Sequence, residues 1–329
     1  MNPRARHPQR IGAGILAVAA LAALAAPVLA SHASDRRFTG LLNAPPTSIY
    51  VRDTAGVWHR PFIYPWKRVS QLEQRYEEDR SAFIPLIWFS SGRLVQSSDD
   101  ERAPLLMLGA DSFGRDVFSR LLFGARLSLA LALIAALGST LIGALLGGIA
   151  GYVGGPVDDV MMRVSDFVLV LPAMYVALML RSMLPLALEA QTVFALLAII
   201  FAVIGSPFIT RGVRAIVRTE RALDYAAAAA SLGASHARVL VRHLLPAARG
   251  FLFVEITMLV PAFIVAEATL SYVGLGFPDT IASWGTMLQD ASSIYAFADF
   301  PWLLSPAAAM FIIVWSLNLT LQGRYERPM

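Results

Sequence analysis

The chain has 329 residues, 57% of them hydrophobic and 15% charged, with a formal net charge of +4 and a mean hydropathy of +0.60. Soluble domains carry roughly 25% charged residues, so this composition excludes an ordinary cytosolic enzyme and points to several membrane crossings of roughly 20 apolar residues each. Cysteine is absent, which excludes disulfides, thiolate metal sites and cysteine nucleophiles. Lys67 is the only lysine and stands in Pro65-Trp66-Lys67-Arg68, so the chain has no Gly-Lys-Ser/Thr phosphate loop. Any ATP that drives it must be hydrolysed by another polypeptide.

The first apolar run, Ile11–Ala30, follows Arg4, Arg6 and Arg10 and is long enough for one crossing. It exceeds the roughly 7–15 residue core of a signal peptide, so it reads as a retained helix. From Ser31 to about Arg120 runs the only long polar stretch, with twelve Arg or Lys residues interleaved with acids. Long loops of this kind translocate largely regardless of charge. Within it Ser48–Arg52, the turn Asp53-Thr54-Ala55-Gly56 and Val57–Arg60 predict a β-hairpin, and Val69–Arg80 predicts a short helix. His32 and His59 lack metal-ligand spacing and are expected at the surface. The stretch reads as a cap on the outer mouth of a helix bundle, with docking of an external partner as a second role.

The next span is Leu127–Tyr152. Asp158 and Asp159, after Gly154-Gly155-Pro156, are expected as the acids of a helix N-terminus. Phe167–Leu180, between Asp166 and Arg181, is short for a span; Ala190–Thr210, Phe251–Val273 and Phe300–Leu321 are long enough. Arginines flank both chain ends (Arg4, Arg6, Arg10; Arg324, Arg327), so the positive-inside rule puts both termini in the cytoplasm and requires an even number of crossings. With the short run counted there are six. The segment Arg211–Arg249, with seven arginines against Glu220 and Asp224, is then cytoplasmic, and the acidic segment holding Asp279, Asp290 and Asp299 lies outside. Arg163 marks the inner end of the third span, and Arg181 is expected to snorkel to the outer interface.

Glu267 falls well inside the fifth span, where an ionisable residue carries a functional hypothesis by default; Glu255 lies nearer the cytoplasmic end. No Ser/His/Asp series or His-Glu-x-x-His pair is present, so catalysis is not expected. The basic segment is the most informative. Asp224-Tyr225-Ala226-Ala227-Ala228-Ala229-Ala230-Ser231-Leu232-Gly233-Ala234-Ser235-His236 opens with a capping acid, continues with the best helix formers, and reaches a glycine that lets the backbone turn. Such a helix of small side chains fits a partner's groove; it equally fits an interfacial helix on anionic lipid. Spacing alone leaves both open.

Ala228-Ala229-Ala230-Ser231-Leu232-Gly233, followed by Leu244-Leu245-Pro246, resembles the EAA…G…LP loop of binding-protein-dependent ABC importer permeases. Four more segments resemble the C-type permeases of dipeptide and oligopeptide importers. They are Leu108–Arg120 with Gly124-Ala125-Arg126; Gly151–Gly155 with Asp158, Met162 and Arg163; Glu267–Gly276; and Ser283–Leu288. All five follow the family's order from about residue 105 to the end. Two positions depart from its pattern: Ala227 stands where the family has a glutamate, and Ala110 where it has a threonine.

The resemblance implies an all-α polytopic membrane protein, a type I importer bundle of six transmembrane helices with a small β-containing extracytoplasmic insert after the first. The expected division is 1–31 for the tail and first helix, 32–121 for the insert, 122–322 for the core with its coupling loop at 211–249, and 323–329 for a cytoplasmic tail. It implies a bacterial-type inner-membrane location and no cofactor in this chain. The implied partners are a second, homologous permease, two cytoplasmic ATPases that hold the ATP and Mg, an external solute-binding protein and the lipid bilayer, with no nucleic acid. The ATPases would grip Asp224, Tyr225, Ala227, Ala228, Ala229, Leu232, Gly233, Ala234 and Ser235. Glu267, Pro261 and Asp166 would line or gate the path, and peptides would be the cargo. The competing class is an ion-coupled carrier of a small solute using Glu267, which calls for discontinuous helices and an internal repeat; the two halves carry no convincing repeat.

Overall fold

The computed structural model describes residues 6–71, 73–183, 185, 188–292 and 298–325. The chain divides into two compact units, one from 1–128 with 271–320, the other from 129–270 with 321–329.

Among the described residues the first unit has α1 (Arg6–Leu24) and a one-turn continuation, α2 (Ala26–Leu29), followed by six strands. These are β1 (Tyr50–Arg52), β2 (Trp58–Ile63), β3 (Trp66–Ser70), β4 (Arg75–Glu78), β5 (Ile84–Ser90) and β6 (Arg93–Ser97). β1, β2, β5 and β6 form one antiparallel sheet in that order, and β3 pairs with β4. The β1–β2 hairpin turns on Asp53, whose carboxylate accepts the Ala55 and Val57 N–H groups, and on Gly56 at φ +86°. Ile63, Ile84, Leu86, Val95, Ala103 and Leu105 make the core under the sheet.

Val69–Arg80 is not a helix. Val69, Ser70 and Arg75–Glu78 belong to the β3–β4 ribbon, in which Lys67 faces Glu77 and Arg68 faces Tyr76. Opposite charges and an aromatic across a ladder favour pairing. The Tyr76 hydroxyl also donates to the Leu42 carbonyl at 2.7 Å, while its ring packs on Phe38, Ala44, Leu106 and Ala110. Tertiary contact here overrides helix propensity.

The same unit holds the start of α3 (Val117–Val153), then α10 (Trp284–Asp290) and most of α11 (Ser305–Tyr325). Ser283 and Thr286 form a reciprocal capping box that starts α10. Its Trp284 is buried, with the indole N–H donating to Leu121 O at 3.2 Å and the backbone N–H to Ser128 Oγ at 3.2 Å. Near the start of α1, a side chain on Gly12 would meet Ser316 O at 2.6 Å and Leu319 Cβ at 3.0 Å, so the backbones of α1 and α11 touch there.

The second unit contains the rest of α3, α4 (Gly155–Val170), α5 (Ala173–Ser182), α6 (Ala190–Arg221), α7 (Asp224–Ser231), α8 (His236–Arg238) and most of α9 (Arg249–Tyr272). Gly143, Gly147 and Gly151 form one stripe along α3 against α6. A Cβ on Gly143 would lie 2.6 Å from Ile209 Cβ, and one on Gly151 would lie 2.6 Å from Arg214 O. Close backbone approach through small residues is how helices associate where no hydrophobic gain separates lipid from protein.

Phe167–Leu180 is not one straight span. α4 and α5 meet at Leu171-Pro172 with a bend of 86°. Leu171 is extended at ψ 131° because the residue before a proline is pushed out of the α region. Among the described residues four helical runs are long and apolar enough to cross a membrane, namely Val117–Val153, Ala190–Arg221, His236–Tyr272 and Pro301–Thr320; the bent pair makes up to five. Pro8–Leu24 is a shorter apolar helix. Arg181 does not reach for an interface: it is buried, and its Nη1 donates to the Pro185 carbonyl at 3.2 Å.

Candidate functional site

The segment Arg211–Arg249 is not a loop throughout. α6 continues to Arg221, and at about 1.5 Å per residue its 32 residues reach ~48 Å, well past a hydrocarbon core of roughly 30 Å. Then come α7, a turn at Gly233 (φ +83°), α8, a wide π-turn over Val239–Leu244 and a 3-10 turn over Leu245–Ala248 that feeds α9. The widening has a cause: the Pro246 ring cannot coexist with an α-helical carbonyl four residues earlier.

α7 is seated by its inner face. Ala226, Val239, Leu244 and Ala248 join Ile209, Val213 and Val217 of α6 in one buried cluster, with Ala229 and Ala234 packed against it. Asp224, Tyr225, Ala227, Ala228, Leu232, Gly233 and Ser235 point outward. Leu232, at the apex, is 89% exposed. The nine sequence candidates thus split into seven exposed groups and two, Ala229 and Ala234, that hold the segment down. The Tyr225 hydroxyl donates to Glu220 at 2.6 Å, which pushes its pKa up to about 12.

Both feet of the segment stand on Tyr152, at the end of α3. Arg221 donates to the Tyr152 carbonyl and lies 5.3 Å over its ring. After the turn, a 2.6 Å hydrogen bond joins the Tyr152 hydroxyl to His236 Nδ1. Beside it, Arg214 grips Asp158 through both Nε (2.6 Å) and Nη2, with Arg218 4.0 Å from the same carboxylate. Asp158 does stand in the first turn of α4, but its carboxylate is engaged by α6. Asp158, Arg214, Arg218 and Arg221 line a cleft of about 550 Å³ with Gly154, Gly155 and Asp159. No local spacing rule reveals this clamp, because its partners stand 56 to 84 residues apart in the chain; only the density of arginine hints at it.

The path candidates do not form one cluster. Glu267 is completely buried in α9, Glu255 is buried nearer the start of that helix, and α9 continues through Pro261. Asp166 is half-exposed and pairs with Arg211 at 3.2 Å. α6 also carries an interior proline, Pro207, flanked by Ser206 and Thr210 whose hydroxyls donate to carbonyls one turn back.

The other unit holds a buried ionic network. Arg115 Nε meets Asp111 at 2.6 Å, its Nη2 meets Asp290 at 2.8 Å, and its Nη1 donates to Asp279 O at 2.7 Å. Burial and the neighbouring Asp111 raise the Asp290 pKa to about 6 against the pull of Arg115 and Arg120. His32 is not a surface residue. It is fully buried, 3.0 Å from Asp116 and 3.5 Å from Asp100. Burial alone would lower its pKa, but the two carboxylates prevail and hold it above the ordinary value. His59 is half-buried and pairs with Asp53 at 2.9 Å. Among the described residues no group of three or more His, Cys, Asp or Glu side chains could hold a metal.

Long apolar helices packed through glycine and a basic corner carrying an exposed small-residue helix are the architecture of a membrane-embedded transport subunit. The family model described as "Binding-protein-dependent transport system inner membrane component" matches residues 143–326, more than half of the chain. The oligopeptide transport system permease protein OppC of Bacillus subtilis (strain 168) is 37% identical over 216 residues, covering 65% of this chain and 68% of that protein. The dipeptide transport system permease protein DppC of the same strain is 34% identical over 215 residues, 65% of each chain. OppC of Lactococcus lactis subsp. lactis (strain IL1403) is 33% identical over 265 residues, 75% of this chain and 88% of that one. The chain belongs to the binding-protein-dependent inner membrane component family. It is a multi-pass transport permease and not an enzyme, and its membership speaks against the ion-coupled carrier.

Proposed function

We propose that this chain is one of two permease subunits of an ATP-driven peptide importer, lining half of the pathway while separate ATPases supply the work. The peptide cargo rests on the names of the relatives. The observation that carries the coupling role is α7 itself: a short alanine helix whose outer face and Leu232 apex are exposed while its inner face is seated in the α6–α9 cluster. An ATPase groove closing on that outer face would push α7, and Tyr152 would pass the displacement to α3 through Arg221 and His236. Asp158–Arg214 ties α4 to α6 within the same corner, so α3, α4 and α6 would move together. Glu267, Pro261 and Asp166 remain the gating candidates.

Six crossings fit this role: α1, α3, the bent α4–α5 pair, α6, the run from α8 through α9, and α11. The touch between the start of α1 and the C-terminal part of α11 at Gly12 and Ser316 supports termini on one side, the cytoplasm. Arg4 and Arg327, which argue for that side by charge, lie outside the described residues. Residues 32–121 would then be the extracytoplasmic insert, 122–322 the core and 323–329 a cytoplasmic tail. A second permease, two ATPases carrying ATP and Mg, and an external solute-binding protein complete the complex.

The natural lack of cysteine makes the test clean. An Ala228→Cys variant should crosslink to the ATPase through a short bifunctional reagent, whereas Ala247→Cys, beyond the turn, should not. Peptide uptake by the reconstituted complex should cease on ATP depletion. Uptake that continues on an ion gradient alone would overturn the reading.

A further inference from the structure

The tip of the β5–β6 hairpin carries three consecutive exposed apolar side chains, Ile87, Trp88 and Phe89, the last 78% exposed. Strand alternation puts Ile84 and Leu86 in the core and would send Trp88 after them, yet all three residues from 87 to 89 face outward. Phe89 has φ +54°, a conformation bulky residues rarely adopt, and Ser91 and Gly92 follow at +51° and +77°.

The hairpin is fastened to the end of the first apolar helix. Arg93, the register partner of Ser90, donates through Nη1 to the Ser31 carbonyl, and Gln96 Nε2 donates to the same oxygen at 3.3 Å. β6 also packs on α2. If α1–α2 is the first span, the run from Ile11 to Leu29 covers about 28 Å of helix, close to the roughly 30 Å hydrocarbon thickness. Ser31 then stands at the outer boundary of the hydrocarbon, and the hairpin turn stands within one arginine side chain of it. The β1–β2 tip of the same sheet also exposes Val57 and Trp58, but its turn is polar, Asp53-Thr54-Ala55-Gly56, Trp58 has the Arg52 guanidinium 6.0 Å over its ring, and among the described residues no bond fastens it to the end of α2.

We propose that the β5–β6 tip, through Ile87, Trp88 and Phe89, is an anchor that inserts into the headgroup region of the outer leaflet and fixes the insert's height and tilt over the membrane. Aromatic side chains concentrate at that depth because they bring an apolar ring to the boundary between water and hydrocarbon. The inference rests on the reading of α1–α2 as the first span.

The test uses the full cysteine-free chain in phosphatidylcholine nanodiscs, with a fluorophore on one introduced cysteine and nitroxide-bearing phosphatidylcholine as quencher. A probe on Phe89→Cys should be quenched roughly three-fold or more strongly than one on Thr54→Cys when the nitroxide is near the headgroup, and little when it is at the acyl-chain end, as expected of an interfacial depth. Val18→Cys, on the exposed side of α1, reports on the span itself. Deep quenching at 18 without shallow quenching at 89 would overturn the anchor and leave the span intact. No lipid quenching at 18 would overturn both. Protection of position 89 from a water-soluble quencher only on adding the external solute-binding protein would replace the lipid with a protein partner and refute the proposal. Melting curves of the labelled variants, matched to the parent chain, exclude misfolding as the cause.

Discussion

Leu232 is the sharpest handle on the proposed ATPase contact. It is 89% exposed at the apex of the coupling segment, so its side chain adds little to the stability of the chain itself. Leu232→Ala removes methyl and methylene groups whose burial in a partner's groove is worth about 0.8 kcal/mol per carbon, or roughly 2.4 kcal/mol in full. At about 1.4 kcal/mol per factor of ten, that is close to a 50-fold loss of affinity for the ATPase. Leu232→Met, which conserves volume, should keep most of the affinity, because such swaps usually cost less than about 1.5 kcal/mol. Titrating purified ATPase onto the permease pair in nanodiscs reads the affinity, and peptide-stimulated ATP hydrolysis reads the coupling. The thermal midpoint of the permease alone should not move. Equal affinity for parent and Leu232→Ala would refute the groove, and an affinity loss matched by a fall in the midpoint would reduce Leu232 to a folding residue.

Gly147→Leu forces a side chain against Thr210 O, with Val213 Cβ and Arg214 N each 3.0 Å from the new Cβ; the overpacking should cost about 1–3 kcal/mol and lower the melting temperature. Gly250→Ala, whose Cβ meets nothing within 4 Å, should leave it unchanged. Tyr152→Phe keeps the ring under Arg221 but loses the bond to His236, so ATP hydrolysis should become less responsive to substrate while ATPase binding persists. Asp290, 10% exposed, has its pKa raised from 3.8 to about 6, so its stabilising share is full below pH 3.8 and is lost as pH rises through 6. Urea or thermal unfolding across that range should show the parent losing about 3 kcal/mol relative to Asp290→Asn; parallel pH curves for the two would refute it. His32, also raised, keeps its own loss of stability with rising pH in both proteins.

Local signals were read well where neighbours in sequence decide the outcome. The alanine run of α7 is helical because nothing competes with the backbone there, and Gly233 turns because it alone tolerates φ +83° cheaply. The hairpin at Asp53–Gly56 forms from its own turn chemistry. Where distant partners decide, local signals mislead. Val69–Arg80 became a ribbon because Tyr76 docks on Leu42; Arg181 is buried because a carbonyl at Pro185 receives it; His32 is buried because Asp100 and Asp116 flank it.

By itself the sequence determined that this is a polytopic membrane chain with no motor of its own, carrying a basic segment built around a small-residue helix. Those properties are sums over composition and local propensity, which need no fold. Only the tertiary structure decided what the charges do. Arg115 and Arg120 leave the surface and become struts, because a guanidinium inside a low-dielectric setting is tolerable only where a fixed carboxylate or carbonyl meets it, while the half-buried Arg214 and the exposed Arg221 tie α6 to Asp158 and Tyr152. Sequence counts such charges, but Asp290 lies 175 residues from Arg115 and Asp158 lies 56 from Arg214, and folding alone brings each pair within 3 Å.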